Sequence, residues 1–206
     1  MQVRHHARIA FVILLAAVLL SGNCWAAAPA IGEDAWITPV SASAVEAKAK
    51  DENHHGNACG YTDAEINQIT NVVYGEVGGI GAASVTLTYS DGSKLYTDGY
   101  MLRAVHARIV DNQVKSNLFP GSVDGCVRQC WSAAYASTGW RDSSQWRSCR
   151  EAVVEALAED IYVPDNVFAA TCDPSFASYA PGWYLWARVD WSTGWYAGTF
   201  YYYCYG

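Results

Sequence analysis

Apolar side chains between residues 62 and 77 recur at every third or fourth position, which is the spacing of one face of an α-helix. The apolar positions of this stripe are Ile66, Ile69, Val72 and Val73. Thr62 and Glu65 stand three residues apart and form a capping box, the signature of a helix N-terminus. Gly78 and Gly79 follow the stripe. The pattern therefore predicts a helix that begins at Thr62 and ends at these glycines.

A β-hairpin is predicted directly after this helix. Residues 84–89 and 94–97 are rich in β-branched and aromatic side chains, and Asp91 and Gly92 lie between the two runs. Two such runs around an Asp-Gly turn are typical of a hairpin.

Helical and strand patterns continue through the rest of the chain. Three more helices are predicted, over 100–114, 123–130 and 144–160. Their inward positions include Leu102, Val105, Ile109, Cys149, Val153, Ala156 and Leu157. After Pro164 the pattern predicts short strands at 166–171, 182–189 and 195–203. The predicted fold class is α+β, dominated by helices, with one hairpin after the first helix.

The N-terminal segment has the features of an export signal. Arg4 and Arg8 precede an apolar stretch at 9–20, which is too short to span a membrane, and Ala26 ends a cleavage site. A cleaved secretory signal peptide over 1–26 is predicted, with a retained anchor as the alternative. Residues 27–58 form a polar linker or loosely ordered tail, and residues 59–206 form one domain. The expected location is secreted, periplasmic or cell-wall.

Removal of the signal peptide leaves an even number of cysteines. The chain has seven, and the loss of Cys24 leaves six. These candidates for disulfide bonds are Cys59, Cys126, Cys130, Cys149, Cys172 and Cys204. In an exported domain they predict three disulfides. A zinc site with His54, His55 and Cys59 is the rival interpretation, but their spacing matches no common zinc motif, and no metal is expected.

The balance of charges argues against nucleic acid as a partner. The chain has 13 Lys and Arg against 20 Asp and Glu, a net charge of −7, whereas phosphate backbones bind basic surfaces. Aromatic side chains are dense at the C-terminal end, where they could stack on sugar rings or form the core of half-buried strands. These residues are Tyr179, Trp183, Tyr184, Trp186, Trp191, Trp195, Tyr196, Phe200, Tyr201, Tyr202, Tyr203 and Tyr205.

Glu76 is the strongest candidate for a catalytic residue. It lies about 20° from Ile69 and about 40° from Val72 around the helix, so a carboxylate continues the apolar stripe in the last turn. Burial and a helix C-terminus both raise a carboxyl pKa, and a raised pKa suits a general acid. Gly75, with the glycines at 78 and 79, is expected to leave the backbone open for a bulky ligand. The alternative is a solvated Glu paired with a basic side chain.

Several segments resemble the spore-cortex-lytic, SleB-type cell-wall hydrolase domain. The matching stretches are YTDAEI at 61–66, VVYGEV at 72–77, LFPGSV at 118–123, RQCWS at 128–132, and the helix, turn and strand over 152–160 and 164–168. Together they extend over most of residues 60–206. In this family the first helix ends in Val-Tyr-Gly-Glu-Ala, and the hairpin at 85–97 is an insertion.

The resemblance implies a lysozyme-like fold and an enzyme that cleaves the glycan strands of peptidoglycan. It implies that Glu76 is the catalytic acid/base. Substrate-binding roles are implied for Tyr74, which is expected to pack beside Glu76, and for Gln129, Trp131, Ser132 and Phe168. A monomer without metal or cofactor is expected, with peptidoglycan as its partner and no membrane contact after signal cleavage.

A single acid favours a lytic transglycosylase over a two-carboxylate hydrolase. Asp91 and Asp98 flank the hairpin and are expected to be turn and cap residues. His106 is expected to be a hydrogen-bonded core histidine, and an even cysteine count disfavours a Cys–His peptidase. No Gly-x-Ser-x-Gly elbow supports a serine hydrolase. The alternative class is a non-catalytic glycan-binding module with a vestigial Glu76.

Overall fold

The structure is a computed structural model that describes residues 59–137, 143–158, 161 and 163–206. The predicted signal peptide, the predicted tail with His54 and His55, and the last two residues of the helix predicted over 144–160 lie outside these residues. Among the helices described, none is both long and apolar enough to cross a lipid bilayer.

The described residues form the helices and strands that the sequence pattern predicts, in the same order, together with one short helix at Phe176–Tyr179 that it does not predict. These elements are α1 (Asp63–Val77), β1 (Ser84–Tyr89), β2 (Lys94–Asp98), α2 (Gly99–Lys115), α3 (Val123–Cys130), α4 (Ser144–Ala158), β3 (Val167–Thr171), α5 (Phe176–Tyr179), β4 (Trp183–Ser192) and β5 (Ala197–Tyr205). Short 3-10 turns follow α1 at Gly78–Ile80 and α3 at Ala133–Ala136. The coarse fold class, α+β, is confirmed.

Helix α1 begins at the predicted capping box. The Thr62 side chain accepts a hydrogen bond from the Glu65 backbone N–H, and the Glu65 carboxylate accepts one from the Thr62 backbone N–H. These bonds satisfy N–H groups that have no partner within the helix. Ile66 and Ile69, with Val72 and Val73 of the same stripe, are fully buried. Local sequence signals therefore account for both the start and the orientation of this helix.

All five strands form one antiparallel sheet in the order β2-β1-β4-β5-β3. The sequence pattern predicts the hairpin and the later strands separately, whereas β4 joins them by pairing with β1 on one side and β5 on the other. Ser84 lies opposite Ser192, and Tyr89 opposite Ala187. Two strands a hundred residues apart in the chain are thus neighbours, a pairing that no local pattern encodes.

The core lies between the inner face of the sheet and the helices. Helix α2 packs against α1, α3 and α4 and against β1, β2 and β3 of the sheet. Val85, Leu87 and Val189 point inward and are buried. A second, smaller cluster on the outer face consists of Phe176, Ala180 and Tyr203. Glu76, at the end of α1, therefore lies on the helical side of the sheet.

The C-terminal aromatic residues divide between the core and the surface, and stacking of the exposed ones on sugar rings stays a prediction. Tyr202 and Tyr203 are buried in the two clusters. Trp195 is 91% exposed, and Tyr184 and Tyr196 are also exposed. The alternation of β4 and β5 decides which side chains enter the core.

No disulfide joins any two of the six cysteines within the described residues. Cys126 and Cys130 lie one turn apart on α3, and the Cys126 thiol donates a hydrogen bond to the Pro120 carbonyl oxygen at 2.8 Å. Cys149 is fully buried on α4, and Cys204 is buried on β5. Three disulfides stay a prediction for the protein after export, and Cys59 and Cys172 complete the set.

Candidate active site

Glu76 lies in the last turn of α1 and is half-buried. Burial raises the pKa of its carboxyl group, because a charged carboxylate loses hydration in this position. The Tyr135 hydroxyl donates a hydrogen bond to Glu76 Oε1 at 2.9 Å, which acts in the opposite direction and is the smaller effect. Neither cause is a charged neighbour. The result is a carboxyl group that holds its proton more tightly than a solvated Glu, as predicted from its place on the apolar stripe.

Tyr135 is held in position by a chain of hydrogen bonds that crosses three elements. The Trp146 indole N–H on α4 donates to Asn71 Oδ1 on α1 at 2.9 Å. The Asn71 amide then donates to the Tyr135 carbonyl oxygen in the 3-10 turn at 2.8 Å. Asn71 and Trp146 are both buried, so water does not compete for these bonds. The Tyr135 hydroxyl is therefore presented to Glu76 by a rigid support.

The expectation that three glycines leave the backbone of α1 open is wrong for two of them. A Cβ at Gly75 would lie 2.3 Å from Cε1 of the Tyr135 ring, so this ring fills the space. At Gly78 a Cβ would lie 3.0 Å from the Tyr74 ring. Only at Gly79 would a Cβ meet nothing within 4 Å. The small residue at Gly75 serves the approach of Tyr135 rather than that of a ligand.

The turn after Glu76 is anchored at the Gly78 carbonyl oxygen. Arg103 Nη2 donates to this oxygen at 2.9 Å, and the Gln145 side-chain amide donates to it at 2.8 Å. Arg103 also donates to the Ser148 hydroxyl at 2.9 Å. C-terminal carbonyls of a helix have no partner within the helix, so these donors stabilise the end of α1. They join α1 to α2 and α4 next to Glu76.

Tyr74 does not pack beside Glu76, and Trp131 is bonded to α2. Tyr74 and Glu76 are two residues apart, so their side chains leave α1 about 200° apart, and Tyr74 lies over Gly78 instead of beside Glu76. Trp131 ends α3 and is half-buried, and its indole N–H donates to Gln113 Oε1 at 2.9 Å. Trp131 is thus held in place by a hydrogen bond to α2.

The other predicted substrate-binding residues have different degrees of exposure. Gln129 is half-buried on α3. Ser132 caps the 3-10 turn that carries Tyr135, and its hydroxyl accepts from the Ala134 N–H at 3.3 Å. Phe168 is buried on β3, with its ring centroid 5.1 Å from that of Phe119. In this structure Phe168 supports the core, whereas Ser132 positions a neighbour of Glu76.

His106 is a core histidine, as predicted. It is 1% exposed, and its Nδ1 lies 2.9 Å from the Leu102 carbonyl oxygen, so Nδ1 carries the proton. Burial lowers its pKa to about 4, which leaves the ring neutral near pH 7. The rings of Trp131, Phe200 and Tyr202 surround it, with centroids 5.6 to 5.9 Å away. His106 therefore packs in the core against the Trp131 ring.

Asp91 and Asp98 have the local roles that the sequence predicts. Asp91 is exposed in the hairpin turn and accepts from the Ser93 N–H at 2.8 Å and the Ser93 hydroxyl at 2.6 Å. Asp98 caps α2 by accepting from the Tyr100 N–H at 3.0 Å. Both carboxylates are thus engaged in stabilising their own turn or helix end.

The thiols of Cys126, Cys130 and Cys149 do not resemble activated nucleophiles. Burial raises the pKa of Cys126 and of Cys149 to about 11, and that of Cys130 to about 12. A catalytic cysteine needs a lowered pKa, because the thiolate is the nucleophile. These values disfavour a Cys–His peptidase at the described residues.

Tyr135, Asn71 and Trp146 were not predicted as site residues. Tyr135 is 59 residues from Glu76 in the chain, and its segment has no periodicity that singles it out. Asn71 interrupts the apolar stripe of α1 at a position that proves to be buried. A buried polar residue needs a partner, so Asn71 was the one signal of this network in the sequence.

For the cleavage that is expected of Glu76 as a general acid, replacing Tyr135 by Phe should move the pH profile to higher pH. The Tyr135 hydrogen bond lowers the Glu76 pKa, so its loss raises that pKa further. A general acid must be protonated before it reacts, and activity therefore falls as pH rises through its pKa. We expect the alkaline limb of the kcat/KM profile to move to higher pH. We also expect the maximal value of kcat/KM to be lower.

The matched control is Tyr179→Phe, which removes a tyrosine–carboxylate hydrogen bond to Asp173 on the outer face. It should leave the pH profile unchanged. A Tyr135→Phe limb that stays in place, or moves to lower pH, would show that Glu76 is not the group that titrates.

Comparisons with known proteins find no matching family model, no matching curated protein and no matching solved structure.

Proposed function

We propose that this chain is an exported enzyme that cleaves the glycosidic bond between MurNAc and GlcNAc in peptidoglycan, as a lytic transglycosylase. The observation that carries the proposal is the half-buried Glu76 carboxyl, whose pKa is raised by burial and whose Oε1 is held by Tyr135. A carboxyl group of this kind suits general acid catalysis near neutral pH. The resemblance of residues 61–66 and 72–77 to SleB-type hydrolases points to the same reaction.

In the first step, protonated Glu76 donates its proton to the glycosidic oxygen that leaves with GlcNAc. The bond from this oxygen to C1 of MurNAc breaks, and the substrate's acetamido group stabilises the cationic centre. Because Oε1 accepts a hydrogen bond from Tyr135, Oε2 is the oxygen assigned to carry the transferred proton. The Tyr135 hydrogen bond then stabilises the carboxylate that remains.

In the second step, the Glu76 carboxylate takes the proton of the MurNAc 6-hydroxyl, and this oxygen forms a bond to C1. The product is a 1,6-anhydro ring, Glu76 is protonated again, and no water is consumed. The attacking hydroxyl belongs to the same sugar, so the reaction is intramolecular. The reaction involves no change of oxidation state and needs no cofactor.

The proposal also includes a lysozyme-like fold and disulfide bonds that form after export. A Glu at the end of a capped helix, followed by a β-hairpin, fits a lysozyme-like arrangement, and β1 and β2 follow α1 in this way. Export into an oxidising compartment would allow the six cysteines to form disulfides, each of which contributes about 2–4 kcal/mol. The proposed domain is a monomer that acts on wall glycan.

Fragment analysis tests the reaction. Purified protein is incubated with peptidoglycan, and the soluble products are examined by mass spectrometry before and after borohydride treatment. We expect fragments lighter than hydrolysis products by one water and resistant to reduction. Reducible fragments would contradict the transglycosylase mechanism and would indicate a hydrolase that uses Glu76. Retention on the wall without any fragments would favour the non-catalytic glycan-binding module.

A further inference from the structure

The outer face of the sheet, which points away from the helices, has a shallow groove of about 490 Å³ over β1, β4 and β5. We call it the outer groove and define it by the side chains of Ser84, Thr86, Asp190, Ser192, Ala197 and Thr199. These positions alternate with the inward residues Val85, Leu87 and Val189, which are buried. The outer groove is therefore separate from the site around Glu76.

The strand register arranges the floor of the outer groove in two rows. Thr86 lies opposite Asp190, which lies opposite Thr199. Ser84 lies opposite Ser192, which lies opposite Ala197. All of these side chains except Asp190 are small, so the floor is low and presents four hydroxyl groups. Hydroxyl groups both donate and accept hydrogen bonds, which suits a ligand that is itself rich in hydroxyls.

Large aromatic side chains border this floor. Tyr96 on the edge strand β2 lies opposite Thr86 and is 74% exposed. Trp195 is 91% exposed in the turn between β4 and β5, three residues after Ser192 and two before Ala197. Rings this exposed contribute little to folding, because burial is what stabilises an apolar side chain. Their flat faces with a polar tip are suited to stacking on sugar rings.

The charge of the outer groove does not favour an ionic ligand. Asp190 accepts from the Thr199 hydroxyl at 2.7 Å and from Arg188 Nη2 at 2.8 Å, so its charge is balanced locally. The whole chain has a net charge of −7, which disfavours nucleic acid. Neighbouring strands lie about 4.8 Å apart, so β2, β1, β4 and β5 together span about 14 Å, enough for a short run of sugar rings.

We propose that the outer groove binds a polysaccharide strand, with Tyr96 and Trp195 stacking on sugar rings and the Ser and Thr hydroxyls and Asp190 bonding their hydroxyl groups. The choice of wall glycan as this polysaccharide rests on the proposed function. The groove holds the polymer on the face opposite to Glu76, so it raises the local concentration of cleavable strands without taking part in the reaction.

The test uses the full chain with Glu76→Gln, so that the wall is not consumed while binding is measured. Co-sedimentation with insoluble peptidoglycan is compared before and after adding Tyr96→Ala and Trp195→Ala. We expect the double replacement to weaken binding by about tenfold, which corresponds to about 1.4 kcal/mol. Replacing the same two residues by Phe keeps a ring at each position and should retain most of the binding.

The matched control is Tyr184→Ala, an exposed aromatic residue at the opposite end of β4. It should leave binding unchanged. Binding that survives the Tyr96 and Trp195 replacements would overturn the proposal. A second result would also overturn it. If sedimentation velocity shows that the double replacement converts a dimer into a monomer while wall binding stays constant, the outer groove joins two copies of the chain.

Failure of the proposed function gives a different result. The chain with Glu76 intact could release no fragments and still lose wall binding when Tyr96 and Trp195 are replaced. That result would contradict the proposed enzyme and support the outer groove as a binding site. In an active chain, the same replacements should reduce cleavage of insoluble wall and spare cleavage of short soluble glycan fragments.

Discussion

Replacing Glu76 by Gln is expected to lower kcat/KM for the proposed peptidoglycan cleavage by about 10²–10⁴-fold, the usual cost of removing a general acid. Gln has nearly the same shape and its carbonyl oxygen can still accept the Tyr135 hydrogen bond, but it has no proton to donate to the leaving oxygen. The measurement is the rate of fragment release at the pH of maximal activity. Near wild-type turnover would remove Glu76 from the mechanism.

Glu155→Gln is the matched control for this replacement. Glu155 on α4 also accepts a hydrogen bond from a tyrosine, Tyr100, at 2.7 Å. It lies on another helix, so its replacement should leave cleavage within a few-fold of the wild type. Equal losses from the two replacements would point to damage to the fold rather than to chemistry.

The Glu76→Gln variant should also melt at a higher temperature than the wild type at neutral pH. Folding raises the Glu76 pKa, so the protonated carboxyl is favoured in the folded state. The stability that this provides is complete below the unfolded pKa and is lost as pH rises through the folded pKa. Gln has no charge to desolvate, so the advantage of the variant should shrink in acid. A lower melting temperature at neutral pH would show that the carboxylate stabilises the fold.

Replacing Gly99 by Ala destabilises the domain by about 1–3 kcal/mol or more, the range of overpacked sites. A Cβ at this first residue of α2 would lie 1.9 Å from the Ile80 carbonyl oxygen and 2.7 Å from that of Gly81. Both atoms belong to backbone, so no side chain can rotate away. The start of α2 must move from the segment that follows Glu76, and thermal unfolding should show the loss.

Gly79→Ala is the control for this prediction. Gly79 is exposed in the neighbouring 3-10 turn, and a Cβ there would meet nothing within 4 Å. Its replacement should change stability by no more than about 0.5 kcal/mol. Equal melting temperatures for the two alanine variants would contradict the packing of α2 against the end of α1.

In the proposed mechanism, the raised pKa of Glu76 and the support of Tyr135 are what prepare the carboxyl group for general acid catalysis. The carboxyl group lies where its charged form is disfavoured, a position that costs stability and that the proposed chemistry would use. Asn71 and Trp146 hold Tyr135, while Arg103 fixes the turn on the other side of Glu76. Positioning of this kind limits how far the carboxylate can move between its two protonation states.

The amino-acid sequence alone determined those features that depend on neighbours within a few residues. The capping box of Thr62 and Glu65, the buried stripe of α1 and the bounds of α3 follow from local spacing, and the structure has them as predicted. The hairpin follows from its Asp-Gly turn. Glu76 could be identified as a candidate catalytic residue because helical geometry alone places it on the buried stripe, independently of the rest of the fold.

Tertiary structure alone decided what lies against these elements. Tyr135 reaches Glu76 across 59 residues, and its ring fills the space beside Gly75 that the sequence pattern had suggested was open. The pairing of β1 with β4 joins the hairpin to the later strands and creates the outer face with Asp190. Spacing along the chain encodes which face of an element is apolar, whereas the partner of that face is chosen by packing and hydrogen bonding between segments far apart in sequence.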